Sequence, residues 1–285
     1  AIEGIYNTIA FKCTDQFGYP LAGKGNIINA AGEEIHSFYT SHDGMGKIRM
    51  KPLTGETYNA NVIFDNGLTK SYILPKATSS GIGFETSINA EDIFTEINST
   101  RIANENWRPA YMLITQNNFL IAKNDLPRKD IINVRIPTVD LFTGILKVSI
   151  FSAENKPLIE RLFFINNDNY KIDGNFSVVK KSLQTGGKNT YEIRVQDTTN
   201  TNLSVAVVDA AYDTTTNAMN NIVSDLLLSE ELKGYIHEPS QYFLQNDILT
   251  KRKADLVMMT NGWRRFNWEK ILQGSLPNYT ATNDD

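Results

Sequence analysis

Short runs of β-branched and aromatic residues, separated by turn-forming residues, dominate the chain from Ile5 to Ala211. The first six runs are IYNTIAFKC, GKGNIINAA, EEIHSFYTS, GKIRMKP, TYNANVIFD and LTKSYILP. Glycine, asparagine, aspartate and proline lie between them, and these residues supply the unusual or preset φ angles of tight turns. A spacing of about ten residues between turns is typical of antiparallel sandwiches. The pattern therefore predicts a small β-sandwich over residues 1–77.

A second series of strand-like runs follows the small-residue link KATSSGIG and continues to Ala211. It predicts a second, larger β-sandwich over residues 81–211. The segment between Asn89 and Trp107 fits either a strand or a short helix. The last three predicted strands of this sandwich are NFSVVKKS, TYEIRVQD and LSVAVVDA.

The hydrophobic period changes at Tyr212, which begins a predicted helical connector and linker tail over residues 212–285. One helix face is predicted from apolar residues at helical spacing, namely Met219, Ile222, Val223, Leu226 and Leu227. An exposed stripe of this kind would forgo about 1.5 to 3 kcal/mol of burial per side chain. We therefore expect it to pack on the second sandwich and to lead towards a further domain.

Two more helices are predicted near the end of the chain. The first begins after Asp247 as N-cap and covers ILTKRKADLVMMT. It is predicted to end at Asn261 and Gly262 with a residue in the left-handed conformation. The second is the short turn WEKILQ, closed by Gly274.

The charge pattern argues against nucleic-acid binding. The 285 residues carry a formal net charge of −4, and the positive residues are scattered and form no continuous stripe. No apolar run approaches the roughly 20 residues that a membrane-spanning helix needs. We expect no nucleic-acid partner and no membrane insertion by this segment.

Candidate catalytic and metal-binding residues are few and dispersed: His36, His42, His237 and Cys13. No zinc, phosphate-loop or nucleophile-elbow motif is present. Cys13 ends a strand-like run, so we expect it to be buried and unreactive. The sequence therefore predicts no catalytic residues, no metal ligands, no cofactor and no enzymatic activity.

The stretch NGWRRFNW interleaves aromatic residues with two arginines, and it is the candidate interaction surface: Trp263, Arg264, Arg265, Phe266 and Trp268. Two interpretations stay open. The aromatic residues can fold back over the apolar face of the preceding helix, formed by Leu256, Val257 and Met259, or the stretch can dock an adjoining domain. A third interpretation, stacking on nucleic-acid bases, fits poorly because this part of the chain is net acidic.

Residues 8–62 resemble a macroglobulin domain of the alpha-2-macroglobulin family. The match lies in the spacing of residues at turns and strand ends: Asp15, Gly18, Pro20, Gly23, Gly32, Gly44, Gly46, Pro52, Gly55 and Tyr58. Residues 136–166 are similar to a strand pair in later domains of that family. The Cys-Gly-Glu-Gln thioester of protease-trapping macroglobulins is absent, which argues against covalent trapping.

The segments DLLLSEELKGYIHEPSQYF and KADLVMMTNGWRRFNW resemble parts of large envelope proteins of Gram-negative bacteria, in which macroglobulin-like sandwiches precede a plug domain of the TonB-dependent receptor type. The resemblance implies two immunoglobulin-like antiparallel β-sandwiches followed by a short α-helical segment. It also implies export to the periplasm or outer membrane.

We expect a non-enzymatic structural or interaction segment, monomeric in isolation, whose partners are adjoining domains of a larger chain or another envelope protein. The alternative is a glycan-binding or adhesive module in which exposed aromatic residues such as Trp107 or Tyr111 stack on sugar rings.

Overall fold

The computed structural model describes residues 1–117, 119–195, 203–205, 207, 219–262, 268–272 and 274. Its fold is mainly β, and the strands pair in antiparallel fashion throughout. The described α-helices all follow residue 219. The predicted class, antiparallel β-sheets followed by a short helical segment, is confirmed.

The first six strands form two sheets that enclose one apolar core. Their bounds are β1 (Asn7–Lys12), β2 (Gly23–Asn29), β3 (Glu34–Tyr39), β4 (Met45–Met50), β5 (Tyr58–Phe64) and β6 (Thr69–Ile73). β1 pairs with β4, and the other four lie in the order β3-β2-β5-β6. Their shared core contains Ile27, Ile48, Met50, Tyr58 and Ala60. We call β1 to β6 the first sandwich.

Glycines permit close backbone approach at two places in the first sandwich. Gly44 has a φ of 71°, and a Cβ there would lie 2.3 Å from the carbonyl oxygen of Cys13. A Cβ on Gly25 would lie 1.9 Å from the carbonyl oxygen of Asn61 on β5. These positions need glycine because any side chain would push neighbouring strands apart.

Seven more strands form the second sandwich. Their bounds are β7 (Gly83–Ile88), β8 (Asp92–Asn98), β9 (Tyr111–Gln116), β10 (Phe119–Asp125), β11 (Ile131–Pro137), β12 (Gly144–Phe151) and β13 (Pro157–Ile165). One sheet has the order β11-β8-β7 and the other β10-β9-β12-β13. Every residue of β12 is buried, as expected for a central strand covered on both faces. The ambiguous segment between Asn89 and Trp107 contains both β8 and a 3₁₀ turn at Glu105–Trp107.

The next two strands, β14 (Gly174–Lys180) and β15 (Thr190–Val195), form a hairpin with a sheet of its own. Residues 168–216 make a compact unit separate from the rest of the chain. These strands do not join the sheets of the second sandwich, to which the sequence pattern assigns them. The third predicted strand, LSVAVVDA, lies largely outside the described residues. The predicted domain boundaries at 77 and 211 stay a prediction.

The helical segment begins differently from its prediction. α1 (Ile222–Ser224) continues directly as a π-helical turn, Asp225–Ser229. Ile222 and Leu226 of the predicted apolar face are 72% and 57% exposed, whereas Leu228 is fully buried. The π turn winds the chain by more than 3.6 residues per turn, so a face drawn at ideal helical spacing does not stay on one side.

The later helices follow the sequence closely. α2 (Gln241–Leu244) precedes α3 (Ile248–Thr260), and α4 (Trp268–Leu272) ends near Gly274, whose φ is 76°. Asp247 caps α3 through a hydrogen bond from the backbone N–H of Thr250 to its Oδ1, as predicted. The prediction that the helix ends with a left-handed residue is wrong, because Asn261 has a φ of −114° and Gly262 also lacks a positive φ. Polar contacts of the Asn261 side chain hold this end of the helix instead.

Replacing Gly25 by alanine should lower the free energy of unfolding by about 2 kcal/mol or more, because the added Cβ overlaps the Asn61 carbonyl of the paired strand. Chemical denaturation of the purified variant measures this change. Gly23→Ala is the matched control on the same strand, since its Cβ would meet no atom closer than 3.3 Å. Equal stability of the two variants would contradict the close approach of β2 and β5.

Candidate interaction surface

Helix α3 packs against both sandwiches. Its residues Ala254–Met258 are all buried, and a helix that buries five consecutive residues is covered on every side. The surrounding cluster joins Met45 of the first sandwich to Ile145 and Leu162 of the second. It also contains residues from the chain that leads to α3, namely Leu228, Leu232, Ile236 and Tyr242. The helical segment does pack on the second sandwich, but it does so through α3 and not through the predicted apolar face, and the contact extends to the first sandwich.

A buried carboxylate on α3 links the two sandwiches. Asp255 is 4% exposed, and its Oδ1 accepts a hydrogen bond from the Nη2 of Arg161 on β13. Its Oδ2 lies 3.2 Å from the Nζ of Lys47 on β4. A buried charge is tolerated only when paired and hydrogen-bonded. Both carboxylate oxygens therefore have cationic partners, one from each sandwich.

Asp255 is not among the residues predicted from the sequence, although the sequence contains a signal for it. The carboxylate stands within the apolar run Ala254–Met258, where an unpaired charge would be very costly. Such a position implies a cationic partner from another element. Nothing in the sequence identifies Arg161 and Lys47 as those partners, because they lie 94 and 208 residues away along the chain.

The C-terminal end of α3 is fixed by the buried side chain of Asn261. Its Oδ1 accepts a hydrogen bond of 3.2 Å from the Nζ of Lys12 on β1, and its Nδ2 donates to the carbonyl of Tyr235 at 3.2 Å. Lys12 donates to the same Tyr235 carbonyl at 2.8 Å. Burial lowers the pKa of Lys12, while the nearby Asp43 opposes this shift. This network attaches the loop before α2 to the first sandwich.

A histidine and a tyrosine make a second polar contact between the first sandwich and the helices. The Nε2 of His42 and the hydroxyl of Tyr242 on α2 lie 2.8 Å apart, and the two rings meet edge to face. Burial lowers the pKa of His42, the Asp43 carboxylate at 3.4 Å opposes this, and Lys253 and His237 lower it further. The neutral imidazole is therefore favoured. Burial also raises the pKa of Tyr242, which keeps its hydroxyl protonated.

Trp268 is the one residue of the predicted interaction surface whose position the structure describes. Its Nε1 donates a hydrogen bond of 3.0 Å to the Oε2 of Glu160 on β13. The ring meets Phe151 of β12 edge to face, with centroids 5.2 Å apart. Trp268 thus packs on the second sandwich and begins α4. The other four members, Trp263, Arg264, Arg265 and Phe266, lie outside the described residues.

Both aromatic residues considered for sugar stacking make contacts through a ring face. Tyr111 is stacked on Phe151 at 5.1 Å between centroids, and the Nζ of Lys123 lies 4.7 Å from its centroid. The ring of Trp107 has the Nζ of Lys156 at 5.3 Å. A sugar-binding platform needs free and coplanar rings, so these contacts count against stacking of a sugar on Tyr111 or Trp107.

The described residues offer neither a metal-binding cluster nor a membrane-spanning helix. Within the described residues, no group of three or more histidine, cysteine, aspartate or glutamate side chains could hold a metal ion. The same part of the chain contains no helix with the length and apolar character needed to cross a bilayer. Cys13 is half-buried, and burial raises the pKa of its thiol. The absence of cofactors, metals and catalysis stays a prediction.

Comparison with protein-family models and with curated proteins found no match. Among solved structures, the chain is similar to one described as "Biofilm associated protein - BSP domain", with 15% sequence identity and a TM-score of 0.25. The match covers 56% of this chain and 27% of that chain. This chain therefore spans about a quarter of the matched chain's length. A likeness at this level carries no functional conclusion, so the contacts within this chain must supply it.

Asp255→Ala should destabilise the protein by about 3–5 kcal/mol, because it leaves the largely buried guanidinium of Arg161 without its carboxylate. Urea denaturation measures the loss. The control is Asp125→Ala, an exposed carboxylate on β10, which should change stability by no more than about 0.5 kcal/mol.

Arg161→Met should cost less in the Asp255→Ala background than in the unmodified chain, because the two residues act as a pair. Additive effects of the two substitutions would contradict the pairing.

Stability should fall as the pH is lowered below about 6.5, because an unfolded histidine takes up a proton there while folded His42 resists it. A folded-state pKa below the unfolded value gives stability that is complete above the unfolded pKa and is lost on acidification. His42→Gln should therefore reduce the difference in melting temperature between pH 7.5 and pH 5.5. His36→Gln is the control and should keep the full difference. Identical differences in both variants would rule out a role for His42.

Proposed function

We propose that this chain is a non-enzymatic structural segment of a larger envelope protein, and that its helical segment locks two β-sandwiches into one rigid arm. Its task is to hold neighbouring domains at a fixed distance and orientation. A rigid arm needs its modules to share a core, since interfaces between independent domains usually permit motion.

The observation that supports this proposal most strongly is the packing of α3 against both sandwiches. The helix completes a single apolar cluster that includes Met45 of the first sandwich and Leu162 of the second. Asp255 adds an ionic contact to each sandwich. Separation of the sandwiches would expose that apolar surface and would strip a buried charge of a partner.

The larger protein and its location are proposed from the resemblance of residues 8–62 to macroglobulin domains and of the helical segment to envelope proteins with a plug domain of the TonB-dependent receptor type. In this proposal the chain is exported by a Gram-negative bacterium and lies in the periplasm or at the outer membrane. Its partners are adjoining domains or another envelope protein. It binds no nucleic acid, does not insert into the membrane, and is monomeric in isolation.

The end of the helical segment is the proposed exit towards a neighbouring domain. Trp268 is tied to the second sandwich through Glu160 and Phe151. A domain that follows α4 would therefore inherit the orientation of the arm. In this proposal Trp268 covers the second sandwich, and the chain after α4 leads to the neighbouring domain.

Energy transfer between two dyes tests the rigidity of the arm. In a Cys13→Ser background, Lys70→Cys on β6 and Asn124→Cys on β10 place one exposed label on each sandwich. We expect a single narrow distance distribution. Asp255→Ala combined with Val257→Ala should broaden this distribution, because both changes weaken the contact of α3 with the two sandwiches. A broad distribution in the chain with α3 intact would show that the sandwiches move independently and would overturn the proposal.

A further inference from the structure

A cleft of about 680 Å³ opens between the first sandwich, strand β7 and helix α3. Its walls come from β3 and the turn after it, from Lys47 and Ile48 of β4, from residues 86–88 of β7, and from α3 between Leu249 and Leu256. Cavities of about 300–1,000 Å³ are typical of small-ligand sites. The volume is sufficient for a short oligosaccharide or a peptide of a few residues.

The charges that line this cleft are mostly positive. Lys47, Arg252 and Lys253 face it together with one carboxylate, Asp255. That carboxylate is already engaged by Lys47 and by Arg161. Among the described residues, Arg252 and Lys253 have no carboxylate within ion-pair distance, although Asp247 interacts electrostatically with Lys253 at longer range. Two cations are thus available to an anionic ligand.

The rest of the lining is rich in hydroxyl groups and offers one free aromatic ring. Ser37, Ser41, Thr86 and Ser87 are among the lining residues, although the hydroxyls of Thr86 and Ser87 point to opposite faces of β7. Tyr39 lines the same cleft and is 71% exposed. Unlike Tyr111, it makes none of the ring contacts found among the described residues.

We infer that this cleft binds an acidic saccharide, with a carboxylate of a uronic-acid unit held by Arg252 and Lys253. The hydroxyls pair with sugar hydroxyls, and a sugar ring lies against Tyr39. Arginine is suited to a carboxylate because its guanidinium can donate two parallel hydrogen bonds. An acidic peptide would use the same cations, but a saccharide carries a hydroxyl on most of its ring carbons and so offers more partners to the hydroxyl groups of the lining. The saccharide is therefore the better fit.

This inference goes beyond the structural role and does not depend on it. The dye-distance experiment tests the rigidity of the arm without any ligand. A flexible arm could still bind the saccharide, and a rigid arm could fail to bind it. Either proposal, the rigid arm or the saccharide site, can therefore be overturned without the other.

Isothermal titration of the whole chain with a galacturonic-acid trisaccharide tests the inference, and the methyl ester of the same trisaccharide is the uncharged control. We expect the acid to bind at least about tenfold more tightly than the ester, as loss of a charge-assisted contact predicts. Binding of the acid should weaken as salt is raised. No binding, or equal binding of acid and ester, would overturn the inference.

Matched variants locate the site. Arg252→Ala with Lys253→Ala should weaken binding of the acid by about tenfold or more, as loss of two charged contacts predicts. Tyr39→Ala should weaken both the acid and its ester. The control pair Lys24→Ala with Lys70→Ala removes two exposed lysines that lie outside the cleft lining and should leave binding unchanged.

The melting temperature of each variant shows whether it remains folded, and a variant that unfolds is replaced by Arg252→Gln alone. An acidic glutamate peptide that binds as tightly as the saccharide would overturn the assigned ligand class. Unchanged saccharide binding in the folded Arg252 and Lys253 variants would overturn the site.

Discussion

The carboxylate of Asp255 is the constraint on which the arrangement of the two sandwiches depends. It is buried on a helix that apolar neighbours cover on every side, so it must find cations within the protein. Arg161 comes from the second sandwich and Lys47 from the first. Because the carboxylate has one oxygen for each partner, the helix cannot satisfy it while it contacts a single sandwich. One buried charge therefore couples three parts of the chain.

Directional polar contacts also set the position of α3 more narrowly than packing could. Apolar side chains around the helix would tolerate a slide or a rotation at small cost, because the hydrophobic effect has no direction. Directional contacts do not tolerate such a movement. They come from Asp255 in the middle of the helix, which forms ion pairs, and from Asn261 at its end, which forms hydrogen bonds. Two fixed points along one helix define its register. The role proposed for the chain requires this kind of fixed register.

The same arrangement creates the cleft beside α3. The helix uses Asp255 and its apolar residues to face the sandwiches, so Arg252 and Lys253 at the edge of this contact remain directed towards the opening. Their neighbours on β3 and β7 come from different sandwiches. All three walls of the cleft meet when the sandwiches and the helix are held together, whereas Arg252, Lys253 and Tyr39 belong to α3 and the first sandwich alone. Structural coupling and the inferred recognition of an acidic ligand thus have a common physical origin, although each can be tested alone.

The sequence by itself determined the local elements of this protein. Turn glycines such as Gly44, strand runs such as β5 and the Asp247 cap of α3 act over a few residues, and they appear in the structure where the pattern predicts them. Tertiary structure decided which surfaces meet. The π turn after Ser224 buries Leu228 instead of the predicted face, and Asp255 finds partners 94 and 208 residues away. Local pattern cannot encode such contacts, because burial and charge pairing depend on which distant elements share a core.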